Sequence, residues 1–225
     1  MLKNIFVLLF LSFNFLTTFG NVKIDCFAPR LFPDTCTSIE VLREQFGKNK
    51  IIPKEIEKEC LIALSHFPEL AETPIEFIYS PIKFTMQTQP KMSFLFHHEE
   101  HWRYKIQIND KPQRFTKLDF KDIPFLSRVG WVGHELSHII DYQRFNVRQM
   151  IRFGIGYGIA GSYRKKVERR VDKIAIHHGL GRELYCAVNY MQNFSKASEK
   201  YKAAQKKHYL SLSEIDCEME CIDKK

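Results

Sequence analysis

The chain has 225 residues, 44% of them hydrophobic and 13% aromatic, with a formal charge of +8 at neutral pH. That length suffices for one domain with a sizeable core and argues against two. The basic residues are scattered from Lys23 to Lys225 without one dense block, which implies weak attraction to anionic surfaces or acidic substrates and excludes nucleic-acid binding.

The N-terminus reads as a targeting segment. Lys3 supplies a positive start, Ile5 to Leu16 form a short apolar run, and Thr18 and Gly20 are small enough for a signal-peptidase site. Residues 1–20 are therefore expected to be a signal peptide and residues 21–225 a single exported domain, secreted or periplasmic. All six cysteines (Cys26, Cys36, Cys60, Cys186, Cys217 and Cys221) follow the expected cleavage point. An even number in an exported chain favours disulfides over free thiols, and over a metal clip at Cys217 and Cys221.

Apolar residues recur at helical spacing from Ser38 to Phe46 and from Pro53 to His66, which predicts two opening helices. The period then shortens. Ile75 to Tyr79, Ile82 to Gln87, Met92 to Phe96 and Trp102 to Ile108 are short aromatic and β-branched runs punctuated by Pro74, Pro81, Pro90 and Pro112. They predict a small, mostly antiparallel sheet and complete a sheet-bearing half, residues 21–130. Residues 131–225 form the helical half. Val129, Val132, Leu136, Ile139 and Ile140 line one side of a helix running to about Phe145. Gly154, Gly156, Gly158 and Gly161 then mark an apolar segment read as tightly packed backbone, with membrane contact the less favoured reading. Charged helices are expected from Arg164 to His178, stopped by Gly179, and from Arg182 to Lys207.

The helix after Pro124 carries the sequence His134-Glu135-Leu136-Ser137-His138. Residues four apart project from one face, so both imidazoles can converge on one ion. Glu135 is displaced around the helix, where it can reach an attacking water instead of the metal. A catalytic zinc needs three protein ligands and one open position, so a third ligand is required.

Here the chain resembles the gluzincins, thermolysin-like zinc peptidases in which a second helix supplies a glutamate within an E-x-x-x-D pattern. Glu168-Arg169-Arg170-Val171-Asp172 matches that pattern. The resemblance implies an α+β zincin-like fold, Zn2+ held by His134, His138 and Glu168, Asp172 bonded to His134 from behind, and Glu135 as general base. It also implies a substrate strand, for which Trp102 to Ile108 is the candidate, and a peptide or protein substrate. The metzincin branch is disfavoured, since it needs glycine at Asp141 and histidine at Arg144. An oxyanion donor is open among Tyr157, Tyr163, Tyr185, His177 and His178. His97-His98-Glu99-Glu100-His101 contains the inverted motif H-x-x-E-H, but between two strand-like runs it reads as a solvated turn. The alternative to an exported peptidase is a non-catalytic exported binding protein that keeps the zinc or only the fold.

Overall fold

The computed structural model describes Ile24, Cys26 and residues 38–224. The targeting segment, its cleavage point after Gly20, and Cys36 lie outside the described residues.

The two opening helices form as expected. Helix α1 (Ile39–Phe46) starts at Ser38, whose hydroxyl accepts the Val41 N–H, and α2 (Glu57–Ser65) follows a single 3-10 turn, Lys54–Ile56. Between them lies a two-residue strand, β1 (Lys50–Ile51), too short to leave a pattern in the sequence. Strands β2 (Ile75–Ser80), β3 (Met86–Pro90) and β4 (Tyr104–Asn109) complete a sheet of order β1-β2-β4-β3.

That sheet is mixed, not mostly antiparallel. β1 runs parallel to β2 and β2 parallel to β4, with Ile75 opposite Tyr104 and Phe77 opposite Ile106; only β3 is antiparallel, with Thr88 opposite Ile106. Alternation reports that a strand has a buried face, but not which way its neighbour runs. Met92 to Phe96, expected as a strand, is a 3-10 turn. β4 takes the interior place, and its Tyr104, Ile106 and Ile108 are buried.

After the single-turn α3 (Pro112–Phe115) comes α4 (Phe125–Tyr142), buried along nearly its whole length. α4 packs against α2, and its Arg128 Nη2 reaches the buried Glu59 carboxylate at 2.7 Å. The remaining helices are α5 (Val147–Ile159), α6 (Gly161–Ala175), α7 (Gly181–Asn189), α8 (Glu199–His208) and α9 (Leu212–Asp223). α4 and α7 approach so closely that a Cβ at Gly130 would lie 2.2 Å from the Glu183 carbonyl oxygen. Glycine is what permits that contact.

Two helical expectations change. The glycine-rich stretch is α5, opened by an Asn146–Gln149 capping box, and a Cβ at Gly154 or Gly158 would meet nothing within 4 Å. It is an exposed helical wall, not tightly packed backbone. The long helix from Arg182 to Lys207 is broken after Phe194. Ser195 turns its hydroxyl back to the Met191 carbonyl, the Ser198 N–H donates to the Thr116 carbonyl, and Ser198 then caps α8. Serines compete with helical hydrogen bonding, and here they redirect the chain.

One disulfide joins Cys26 to Cys186 on α7; Cys60 is a buried thiol, and Cys217 and Cys221 are exposed thiols. Disulfide pairing thus accounts for one pair among the described cysteines. No helix of the described residues is long and apolar enough to cross a membrane.

Candidate metal centre

Helices α4 and α6 pack side by side, and the site forms where their buried faces meet. His134 and His138 are one turn apart on α4, and Glu168 and Asp172 one turn apart on α6, all four buried. The helical repeat makes each pair share a face. Ligand atoms of His134, His138 and Glu168 lie within 4.8 Å of one another. Glu168 Oε2 is 3.1 Å from His134 Nε2 and 3.5 Å from His138 Nε2. Tetrahedral zinc with bonds of about 2.0–2.2 Å places its ligand atoms roughly 3.4 Å apart. The two separations from Glu168 and the nitrogen and oxygen donor set therefore fit such an ion.

Asp172 stands behind His134. Its Oδ1 lies 2.9 Å from His134 Nδ1, and its Oδ2 accepts the Leu210 N–H at 2.8 Å. The Nδ1–H donating to Asp172 leaves Nε2 as the metal-facing atom. Burial alone would lower the His134 pKa, but the hydrogen bonds the ring donates to the Asp172 and Glu168 carboxylates outweigh it and raise the pKa well above the usual histidine range. Burial would likewise raise Glu168, yet its bonds to His134 and His138 keep it well below the usual carboxylate range. A metal held here would take Nε2 of a neutral His134 ring as its ligand. His138 Nδ1 is buried with no hydrogen-bond partner among the described residues, so nothing comparable fixes that ring.

Every residue of Glu168 to Asp172 has a separate task. Glu168 and Asp172 face the histidines, Val171 fills the core, and Arg169 pairs with Glu214 of α9. Arg170 forks onto Asp141 through bonds of 2.8 and 2.6 Å, so the position where a metzincin needs glycine holds half of an ion pair that ties α4 to α6.

Glu135 is turned toward β3. Its Oε2 lies 2.7 Å from the Thr88 hydroxyl, and its carboxylate lines a cleft of about 460 Å³ that also reaches His138 and Glu168. One wall of that cleft is β3 and the other is α5. Because β3 is the edge of the sheet and β4 lies inside it, the backbone of the expected substrate strand is already paired on both sides from Tyr104 to Ile108. β3 replaces it as the strand able to pair with an extended chain.

Of the five oxyanion candidates, only Tyr157 reaches the site, its hydroxyl donating to Glu168 Oε1. Burial, then the Glu168 charge, raises its pKa and keeps the donor proton in place. Tyr163 packs against Phe153, Tyr185 against the core, His177 against Glu218, and His178 stacks on Phe67. Sequence reasoning missed Tyr209, whose ring lies 5.2 Å from that of His134 and which lines the cleft from the turn between α8 and α9. It also missed Thr88, which lies 47 residues before Glu135. His97, His98 and His101 are exposed, on and beside a 3-10 turn, and none of them lines the cleft, although Met92 and Phe94 just before them do, which agrees with a solvated turn near the cleft.

No protein-family model, no curated protein and no solved structure matches this chain.

Proposed function

We propose that this chain is an exported zinc peptidase, with His134, His138 and Glu168 as metal ligands and Glu135 as general base. The observation that carries the reading is the convergence of three buried ligand atoms beside a carboxylate that is itself turned into an open cleft. A purely structural zinc site is closed by four protein ligands, whereas three protein ligands beside a cleft leave room for substrate.

Zinc bound there would polarise a substrate carbonyl and bring the pKa of a water molecule to about 7. Glu135 then accepts the proton of the attacking water and passes it to the leaving amine. Thr88 holds that carboxylate by one hydrogen bond, fixing the oxygen that takes the proton. Tyr157 stands beside Glu168 with a retained proton, and its hydroxyl can donate to the oxyanion that develops on the carbonyl. The edge of β3 offers unpaired backbone groups to an extended peptide, which positions the scissile bond by strand addition.

The test is metal analysis of the purified protein together with digestion of a broad peptide library. One zinc per chain and cleavage of peptides are expected. Glu135→Gln should keep its zinc and lose nearly all turnover. A fully active variant would refute the base, and a metal-bearing wild type that cleaves nothing would favour the non-catalytic binding protein.

A further inference from the structure

Helix α5 is amphipathic in an unusual sense. Helical spacing turns Met150 and Phe153 into the core, with Tyr157 below them, as expected for a packed wall. The opposite face, which solvated helices fill with polar residues, instead carries Ile151, Ile155 and Ile159, successively one turn apart and 44%, 58% and 83% exposed. Arg148 and Arg152 lie exposed among them, and among the described residues neither forms an ion pair. Gly154 and Gly158 leave bare backbone beside the isoleucines, with nothing within 4 Å of a notional Cβ.

The charge of the surrounding chain is equally one-sided. From Gln143 to Val167 there is no acidic residue, while Arg144, Arg148, Arg152, Arg164, Lys165 and Lys166 are all basic. Across the cleft, Phe84 and Met92 are exposed on the lip that faces Ile151 and Ile155. The mouth of the cleft is thus apolar on both sides and basic around one of them.

We propose that the outer face of α5, with this apolar lip, docks on an anionic lipid surface. Isoleucine side chains enter the boundary between headgroups and acyl chains, while arginine stems lie along it and carry their charge back to the phosphates. The six cations and the chain's formal charge of +8 provide the long-range attraction. A bilayer fits this face better than a protein does, because apolar and cationic groups alternate along one convex helix. An anionic surface satisfies both kinds everywhere, whereas a protein partner must match each position. With no helix of the described residues able to cross a bilayer, the face lies on the membrane and does not span it. Membrane contact, less favoured from sequence, becomes favoured once the glycines prove to be helical and the isoleucines to face outward. The proposal does not depend on the metal or on peptidase activity.

The experiment is co-sedimentation of the full chain with phosphatidylcholine vesicles, with or without phosphatidylglycerol, at low and high salt. Wild type is expected to bind the anionic vesicles roughly tenfold or more tightly than the neutral ones, and to lose most of that advantage when salt shortens the screening length. Ile151→Ser/Ile155→Ser/Ile159→Ser and Arg148→Gln/Arg152→Gln should each weaken anionic-vesicle binding roughly tenfold with unchanged circular dichroism. Because every variant keeps the same N-terminus, the apolar run at Ile5 to Leu16 cannot produce these differences. If the triple variant fails to fold, the arginine pair alone decides. Equal binding by wild type and the folded variants overturns the proposal. So does binding to an acidic, apolar peptide without binding to vesicles, which would make the face a protein-docking surface.

Discussion

At His134 the two ring nitrogens meet different carboxylates, Asp172 at Nδ1 and Glu168 at Nε2, and removing each should have a different consequence. Glu168→Ala deletes one of three converging ligand atoms and should abolish stoichiometric zinc binding. Asp172→Ala leaves all three and should weaken affinity by roughly 10–100-fold, since it loosens only the ring orientation. Asp172 also accepts the buried Leu210 N–H, so Asp172→Asn is the better probe. Its amide oxygen can keep one of the two bonds, and it should recover part of the loss. Competition against a chelator of known zinc affinity measures all three variants, and an equal loss for Glu168 and Asp172 would sink the division of roles. His134 and His138 were legible in the sequence, because i, i+4 spacing puts both rings on one helical face. Glu168 and Asp172 were reached through the resemblance to the gluzincin pattern, since an E-x-x-x-D spacing alone does not say that its face meets the histidines. Thr88 and Tyr209 were not legible. Their places depend on a strand register and on a turn between two helices, neither of which leaves a local pattern.

At the scale of elements, α9 braces α6, the helix that carries Glu168 and Asp172. Ser211 and Glu214 cap α9 reciprocally, Glu214 pairs with Arg169, and Glu218 reaches Lys173 and His177. The Arg169 guanidinium, followed by the Ser211 N–H, lowers the Glu214 pKa from an ordinary 4.5 to about 2. A carboxylate depressed on folding stabilises the native state above its unfolded pKa, and that contribution disappears as pH falls from about 4.5 through about 2. Because the pair is largely exposed, solvent and salt screen it, so the effect should be local and small. In metal-free protein, amide protection in α9, corrected for the intrinsic exchange rate, should fall across that window in wild type. Glu214→Gln should begin lower and change less, and identical profiles would show that the pair does not hold the helix. The helix that Ser211 caps lies beyond Lys207 and was not expected from the sequence, and the single helix expected from Arg182 to Lys207 concealed the break between α7 and α8. Ser195 and Ser198 end that helix through contacts with Met191 and Thr116, and only the second is far enough away to be invisible to sequence spacing. Strand positions were legible for β2 and β4, where alternation is strong. Strand direction was not, because parallel and antiparallel neighbours bury the same faces.

Across the described residues, one hydrophobic cluster runs from Leu42 in α1 through the sheet and α4 to Met191 beyond α7, so the helix that carries His134 and His138 is packed from several directions. The Cys26–Cys186 bridge adds a covalent link between the chain's early segment and α7, the helix that lies along α4 at Gly130. It spans 160 residues, which places it among bridges that most restrict the unfolded chain. Removing it should lower unfolding stability by about 2–5 kcal/mol. No cysteine belongs to the candidate metal set, so zinc stoichiometry should survive unless the protein unfolds. The check is denaturant unfolding of a Cys26→Ala/Cys186→Ala variant, with and without zinc, beside wild type treated with reductant. Both should show the lower midpoint, and the variant should be indifferent to reductant. An unchanged midpoint in both would mean that the bridge does not stabilise the native state, and would remove a support for export. A disulfide of this kind persists in oxidising compartments and is lost in the cytosol. The bridge that ties the chain's early segment to α7 therefore makes the stability of the core depend on where the chain folds.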